Sequence, residues 1–389
     1  YNGQSGMGVI GIGSPDLKWE KNKAFNLGLD LTFWDRLSLT LDYYTRKTND
    51  LLMNKRISYV PGYYDPISFA PTTLQNVGSL ENKGVEISLS STNMQTQDLI
   101  WTTTFNIGHN KNKLVKLDGI QTDEIDGALI HRVGEPYYSY YMFEYAGVDP
   151  QTGYALYNQY YNVKANGERE LITDMETYKS KNAINKLEVE QTSDWSAATK
   201  KFVGKSGIPA LQGGFGFDLY AKGITFNATF SYGIGGYGYD YNYAAMMHSG
   251  TSGSYNWHKD IENRWQKPGD VTNIPSLSND FGGGADDTNY ANASSTRFLT
   301  SRSFLNLANI RIGYTLPKNI VSKLHLSGLS FYISGDNLLY WSARKGYVSM
   351  ASSGNSDNVN DDNKNDSGES GRSQYAPLST IMGGIKIQF

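Results

Sequence analysis

Apolar and polar residues alternate along this chain in several long runs, and the run at its C-terminal end is the most regular. Over residues 379–389, Ile381, Gly383, Ile385, Ile387 and Phe389 fall on one face, and Thr380, Met382, Gly384, Lys386 and Gln388 on the other. Period-two alternation predicts a β-strand between two different surroundings, and about eleven residues suffice for a tilted barrel strand to cross a bilayer. The same pattern recurs upstream. Phe25, Leu27, Leu29, Leu31 and Phe33 lead through Asp35-Arg36 to Leu37, Leu39, Leu41 and Tyr43. Val85, Ile87 and Leu89 precede a polar turn near residues 96–98, and Trp101, Thr103, Phe105 and Ile107 follow. Phe215, Phe217, Leu219 and Ala221 meet Lys222-Gly223, with Ile224, Phe226, Ala228, Phe230, Tyr232 and Ile234 beyond. Ile310, Ile312, Tyr314 and Leu316 come before Pro317, and Leu329, Phe331 and Ile333 after it. About nine strands are predicted, most of them joined as hairpins by short turns.

Between the hairpins lie residues 48–83, 110–212, 235–302 and 339–378, rich in Gly, Asn, Asp, Ser and Tyr and with little sustained periodicity. A compact soluble domain does not accommodate four structureless connections of that length. Tight turns alternating with long loops are the metre of a transmembrane antiparallel β-barrel, whose periplasmic turns are short and extracellular loops long. On this reading Leu29, Leu39, Phe105, Phe226 and Phe331 meet lipid, while Asp30, Thr40, Asn106, Asn227 and Tyr332 point inward. Single-chain bacterial barrels close with an even number of strands, so an odd count predicts further strands upstream of Tyr1. The Gly-rich opening, with neither an initiator Met nor a basic and apolar leader, predicts either a removed signal peptide or, the reading favoured here, a piece of a longer protein.

Composition removes several classes. Only 39% of the 389 residues are hydrophobic, mean hydropathy is -0.49, and no run approaches the roughly 18 apolar residues of a transmembrane helix. A barrel stays open, because lumen face, turns and loops dilute its lipid-facing half. The 29 Tyr, 7 Trp and 15 Phe suit interfacial girdles and sugar-binding surfaces alike. A net charge of -3 provides no footprint for nucleic acid, and the lack of Cys excludes disulfides and thiolate metal sites.

Catalytic and cofactor chemistry is not legible. His109, His131, His248, His258 and His325 lack metal-ligand spacing. Asp361, Asp362, Asp366 and Glu369 lack the spacing of a calcium loop, and a solvated loop is the expectation there. Gly233, Gly235, Gly236 and Gly238 follow a strand with no helix pattern after them, so they read as bend residues and not as a phosphate loop. No metal or cofactor is expected. Tyr237, Tyr239 and Tyr241, with Tyr243, and the separate group Tyr137, Tyr138, Tyr140 and Tyr141, read either as packing and girdle or as a stacking surface for a ligand or lid. Trp257 and Trp265, in a long loop, are the stronger ligand candidates.

Pro15-Asp16-Leu17-Lys18-Trp19-Glu20-Lys21, Asn26-Leu27-Gly28-Leu29-Asp30, Asn76-Val77-Gly78-Ser79-Leu80-Glu81-Asn82-Lys83-Gly84-Val85-Glu86, residues 304–317 from Phe304-Leu305-Asn306-Leu307 to Leu316-Pro317, and Gly335-Asp336-Asn337-Leu338 together resemble the SusC/RagA family of TonB-dependent outer-membrane transporters of Bacteroidetes. The spacing Gly384, Ile387, Phe389 resembles the insertion signal of outer-membrane barrels. The resemblance implies that residues 1–389 are the C-terminal part of a 22-stranded barrel, with a plug and TonB box outside this chain. It further implies a SusD-like lipoprotein over the mouth, pairs able to associate as a dimer, the TonB complex as energy source, and import of oligosaccharides or peptides. After Arg344-Lys345-Gly346-Tyr347 the chain departs from the family pattern into an acidic, Ser- and Asn-rich loop. The rival readings are a barrel receptor or adhesin without transport, and a barrel enzyme; the pattern holds no legible base and nucleophile for the latter.

Overall fold

In the computed structural model, residues 13–56, 72–117, 124–126, 128–248, 256–277, 295–348 and 377–389 are described. Nine strands form one antiparallel sheet: β1 Lys21–Phe33, β2 Leu37–Arg56, β3 Thr72–Gln95, β4 Leu99–Leu117, β5 Leu211–Ala221, β6 Ile224–Ile234, β7 Phe304–Thr315, β8 Gly328–Ser342 and β9 Thr380–Gln388. Each pairs only with its neighbours in sequence within that sheet, so β1 and β9 are its two edges.

Register turns alternation into two surfaces. Leu31, Leu39, Leu89, Phe105, Phe215, Phe230, Leu307 and Leu339 lie in successive cross-strand pairs, an apolar row across eight strands. Leu29, Ile312, Phe331, Ile333, Ile385 and Ile387 are exposed on the same side. An apolar surface facing outward this way is stable only against lipid. The opposite face is polar and internally bonded. Thr40 donates to Asp30 at 2.7 Å, Asn309 donates to Asp336 at 2.6 Å, and the Arg311 guanidinium lies 4.0 Å from the centre of the Tyr332 ring.

The short connections match their sequences. Trp34 and Asp35 both have positive φ, as do Lys222 and Gly223, which is the geometry of tight turns whose twist suits a hairpin. The β7–β8 connection is longer and carries the one-turn helix Lys318–Val321 after Pro317.

The two family-like words of the closing strands bond to each other. Asn306 of β7 donates to Asn337 of β8 at 3.1 Å, beside a register shift between Leu307 and Asn309. Near the start, the Asn76 side chain accepts from the Lys18 backbone N–H at 2.7 Å and donates to the Lys18 carbonyl at 2.8 Å. Residues that look unrelated in the sequence thus clamp one another.

Two expectations need correction. Residues 48–83 are not mainly a loop: β2 runs on to Arg56 and β3 begins at Thr72. With 20 and 24 residues, these strands are about twice what a bilayer requires. Above the lipid no face needs to be apolar, so the alternation fades while the ladder continues. Residues 110–212 are likewise no structureless connection. β4 extends to Leu117, and beyond it stand eight short strands and the helix Met175–Lys181, capped by Asp174. The acidic group Asp361, Asp362, Asp366 and Glu369 lies outside the described residues.

Candidate functional site

The segments above the sheet on its extracellular side fold together. From the segment between β4 and β5, the strand Ser139–Phe143 is buried over four of its five residues, and it pairs with Lys200–Ser206 and Leu129–His131. From the segment between β6 and β7 come the strand Tyr237–Tyr239, its partner Leu299–Ser301, and the helix Tyr241–Met246. Tyr140, Met142, Tyr239, Met247, Phe298 and Leu299 make one core out of both segments. A second, smaller core joins Ala155, Tyr157 and Ala198 with Phe143, Tyr145 and Trp195. Burial of several tyrosine rings, each worth up to a few kcal/mol of apolar transfer, makes this a folded loop domain and not a set of independent loops.

Charged groups tie its parts. Asp240 accepts from the Tyr243 N–H at 2.9 Å, capping the helix at 241–246, and its other oxygen pairs with Arg344 from the segment after β8. The Arg344 guanidinium also covers the Tyr243 ring at 4.2 Å, and burial depresses its pKa. Arg132 pairs with the buried Glu176. Arg297 sits between the Tyr145 ring, at 5.5 Å, and the Phe298 ring, at 4.8 Å, with its pKa lowered by burial. Burial pushes Tyr145 up to about 12 against the opposing charge of Arg297. Burial, assisted by the hydrogen bond to Asp260, takes Tyr243 to about 12. Burial alone would raise Glu144, but donation from Tyr160 at 2.7 Å, the Lys201 charge at 3.3 Å and Asn158 outweigh it and hold the carboxyl below its ordinary range.

The aromatic candidates occupy unequal positions. Tyr239 is 1% exposed in the centre of the core, with Tyr241 against it at a ring separation of 4.7 Å. Tyr237 is half-buried beneath Lys205, whose ammonium lies 4.3 Å from the ring centre, and its carbonyl accepts from the Tyr140 hydroxyl at 3.3 Å. Trp265 donates to the Pro150 carbonyl at 3.0 Å and packs on Gly153, where an added Cβ would lie 2.4 Å from its ring. Trp257 is 45% exposed, stacked on His248 and fixed by donation to the His248 carbonyl at 2.9 Å. Of the five, Trp257 thus presents the freest ring and Tyr239 the least free.

Gly235 and Gly236, with φ of 78° and 71°, let the chain leave β6 against Ala210 and Pro209, a bend as expected. A short helix does open at Tyr241 after them, contrary to expectation; it has six residues and is capped by the Asp240 carboxylate. His248 is 2% exposed, and His258 caps the turn at Lys259–Asn263. Among the described residues no three His, Asp or Glu side chains converge on a metal position.

A cleft of about 580 Å³ on the polar face, beneath the loop domain, was not foreseen. Glu86, Ser88, Asn106, Gln212, Ser231 and Arg302 line it, with Phe304 alongside. Arg302 donates to the Gly207 carbonyl at 2.6 Å, while its buried Nε has no hydrogen-bond partner among the described residues. Only cross-strand register brings these residues together, so no local pattern could announce them.

An apolar-out, polar-in wall of nine strands, with short turns at one end and a folded domain at the other, defines a segment of an outer-membrane β-barrel. Comparison with known proteins agrees: the chain belongs to the TonB-dependent receptor-like β-barrel family, whose pattern matches residues 1–338. It is 30% identical over 364 residues to TonB-dependent receptor P3 of Formosa agariphila, covering 91% of this chain and 33% of that protein. It is 32% identical over 168 residues to TonB-dependent receptor SusC of Bacteroides thetaiotaomicron, covering 39% of this chain and 16% of that one. Among solved structures, the RagAB peptide transporter superposes with a TM-score of 0.71 at 28% identity, over 97% of this chain and 36% of the other. The chain thus spans about a third of the first of these curated relatives.

Proposed function

We propose that this chain is the C-terminal part of the barrel of an active importer, which takes up short peptides across the outer membrane with energy delivered through TonB. The observation that carries the reading is the similarity to the RagAB peptide transporter, which covers 97% of this chain and includes both wall and loop domain. The polar cleft under the loop domain supports it, because amide, carboxylate and guanidinium groups side by side suit a zwitterionic, amide-rich cargo. Strands outside this chain would pair with the free edges of β1 and β9 and close the barrel around a plug. A SusD-like lipoprotein would lid the mouth, and two such pairs would associate as a dimer. Trp257 is the contact candidate for cargo or lid, whereas Trp265 and Tyr239 hold the loop domain together. Oligosaccharide import is the second reading; the exposed Trp257 ring, which suits stacking on a sugar face, favours it.

The test is uptake of labelled peptides and oligosaccharides by cells carrying the full-length gene, its deletion, or the full-length protein with Trp257→Ala or Arg302→Gln. Peptide uptake should fall on deletion and drop in both variants at unchanged outer-membrane levels. Loss of oligosaccharide uptake alone would move the assignment to the second reading, and no uptake defect on deletion would refute transport.

A further inference from the structure

Above the lipid-facing rows, the same face of β1 to β4 turns basic. The last apolar positions are Phe25, Tyr43 and Val85, and the alternation continues in phase as Lys23 and Lys21 on β1, Thr45 and Lys47 on β2, Lys83 and Glu81 on β3, and Lys111 and Lys113 on β4. Lys23 lies directly opposite Lys47, and Lys83 directly opposite Lys111. Like charges in facing pairs weaken a sheet, and Glu81, directly opposite both Lys47 and Lys113, is one carboxylate among six lysines on this face, so the excess positive charge calls for an anion from outside the chain. Lys83 reaches Glu81 at 3.0 Å and Lys21 reaches Asp50 at 3.3 Å. Lys23, Lys47, Lys111 and Lys113 form no ion pair among the described residues, and Lys23, Lys83, Lys111 and Lys113 are exposed.

Height fixes what these ammonium groups meet. At a rise of about 3.3 Å per residue and a tilt of about 40°, each step of two residues climbs about 5 Å, so the lysines stand about 5–10 Å above the last apolar ring. Their aliphatic stems can lie along that ring while the charges reach the headgroup layer. On the other flank of the sheet, β7 and β8 carry Leu305, Leu339 and Trp341 at their upper ends on this face, so the basic belt is one-sided.

We propose that this belt is a binding site for the phosphate groups of phosphorylated glycolipid in the outer leaflet, holding the lipid against β1 to β4. Continuity with the lipid-facing band selects a membrane lipid over a soluble anion, and an excess of lysine over the carboxylates of Glu81 and Asp50 selects phosphate over a neutral headgroup.

The full-length protein, extracted in mild detergent, should retain this glycolipid in native mass spectra. The variant Lys23→Gln/Lys47→Gln/Lys83→Gln/Lys111→Gln should retain at least about tenfold less. The control Lys179→Gln/Lys181→Gln/Lys186→Gln, in the loop domain, should retain it fully. On the wild-type protein, dephosphorylated glycolipid should compete at least about tenfold less well than the phosphorylated form. Excess inorganic phosphate should leave the lipid in place. Wild-type retention in the belt variant, equal stripping by the control, equal competition by both lipid forms, or release by inorganic phosphate would each overturn the proposal. The wild-type competition decides the matter even if the belt variant assembles poorly.

Discussion

At the scale of single residues, adjacent positions on one strand face different solvents. Phe226 lies in the apolar surface opposite Ile312, while its neighbour Asn227 donates to Asp218 on the polar face. Phe226→Arg should destabilise the assembled protein by about 2–4 kcal/mol and Asn227→Arg by far less, measured as unfolding midpoints in lipid vesicles. The last strand offers a second contrast. The Tyr332 ring lies over Gly384, where an added Cβ would come within 2.4 Å of it, whereas the nearest atom to a Cβ on Gly383 is 3.8 Å away. Gly384→Val should therefore cost about 1–3 kcal/mol through a displaced ring, and Gly383→Val should be nearly neutral, in the heat-denaturation midpoint of the assembled barrel. Gly384 thus has a packing role beside any part in an insertion signal. Glu144 supplies a pH dependence: its folded pKa is depressed, so its contribution is complete above the unfolded value of about 4.3 and disappears as pH falls through the lower folded value. Protection factors for amide exchange in Ala155–Val163, corrected for the intrinsic rate at each pH, should fall between about pH 5 and pH 3, and Glu144→Gln should remove that fall.

At the scale of elements, legibility followed the solvent. Where a strand has lipid on one side, as at Leu27, Leu29 and Leu31, the apolar and polar sequence repeats strictly, and all nine sheet strands could be read. Where the strand rises clear of the membrane, as β2 does after Tyr43, neither face meets lipid, and its continuation to Arg56, through the consecutive Leu51-Leu52-Met53, keeps no period of two. The loop domain was illegible for a different reason. Its buried strand Ser139–Phe143 places consecutive residues inside, with Tyr140 and Tyr141 both at 0% exposure, so no period of two survives. The cleft around Arg302 and the pair Arg344 with Asp240 join residues roughly a hundred or more positions apart, beyond any spacing rule. The terminal aromatic makes a prediction for β9: deleting Phe389, which is 93% exposed on the lipid side of the strand, should lower the outer-membrane level of the full-length protein without reducing its synthesis, as measured by quantitative membrane fractionation.

At the scale of the whole molecule, the free edges of β1 and β9 expose unpaired backbone groups along their lengths, which lipid cannot satisfy. Residues 1–389 expressed alone should therefore fail to give a heat-modifiable inserted species in vesicles, and co-expression with the strands proposed to close the barrel should restore one.

The shared core of the loop domain has a consequence for how such surfaces diversify. Tyr140 comes from one long segment, Phe298 from a second, and a third is tied in through Arg344. A new sequence in any one of these segments must therefore fit two inherited neighbours. Drift should then collect at rim positions such as Val271, which is 94% exposed, while the three segments pass between lineages as a set. A chimera that takes one segment from a relative should reach the outer membrane poorly, and one that takes all three should reach it well.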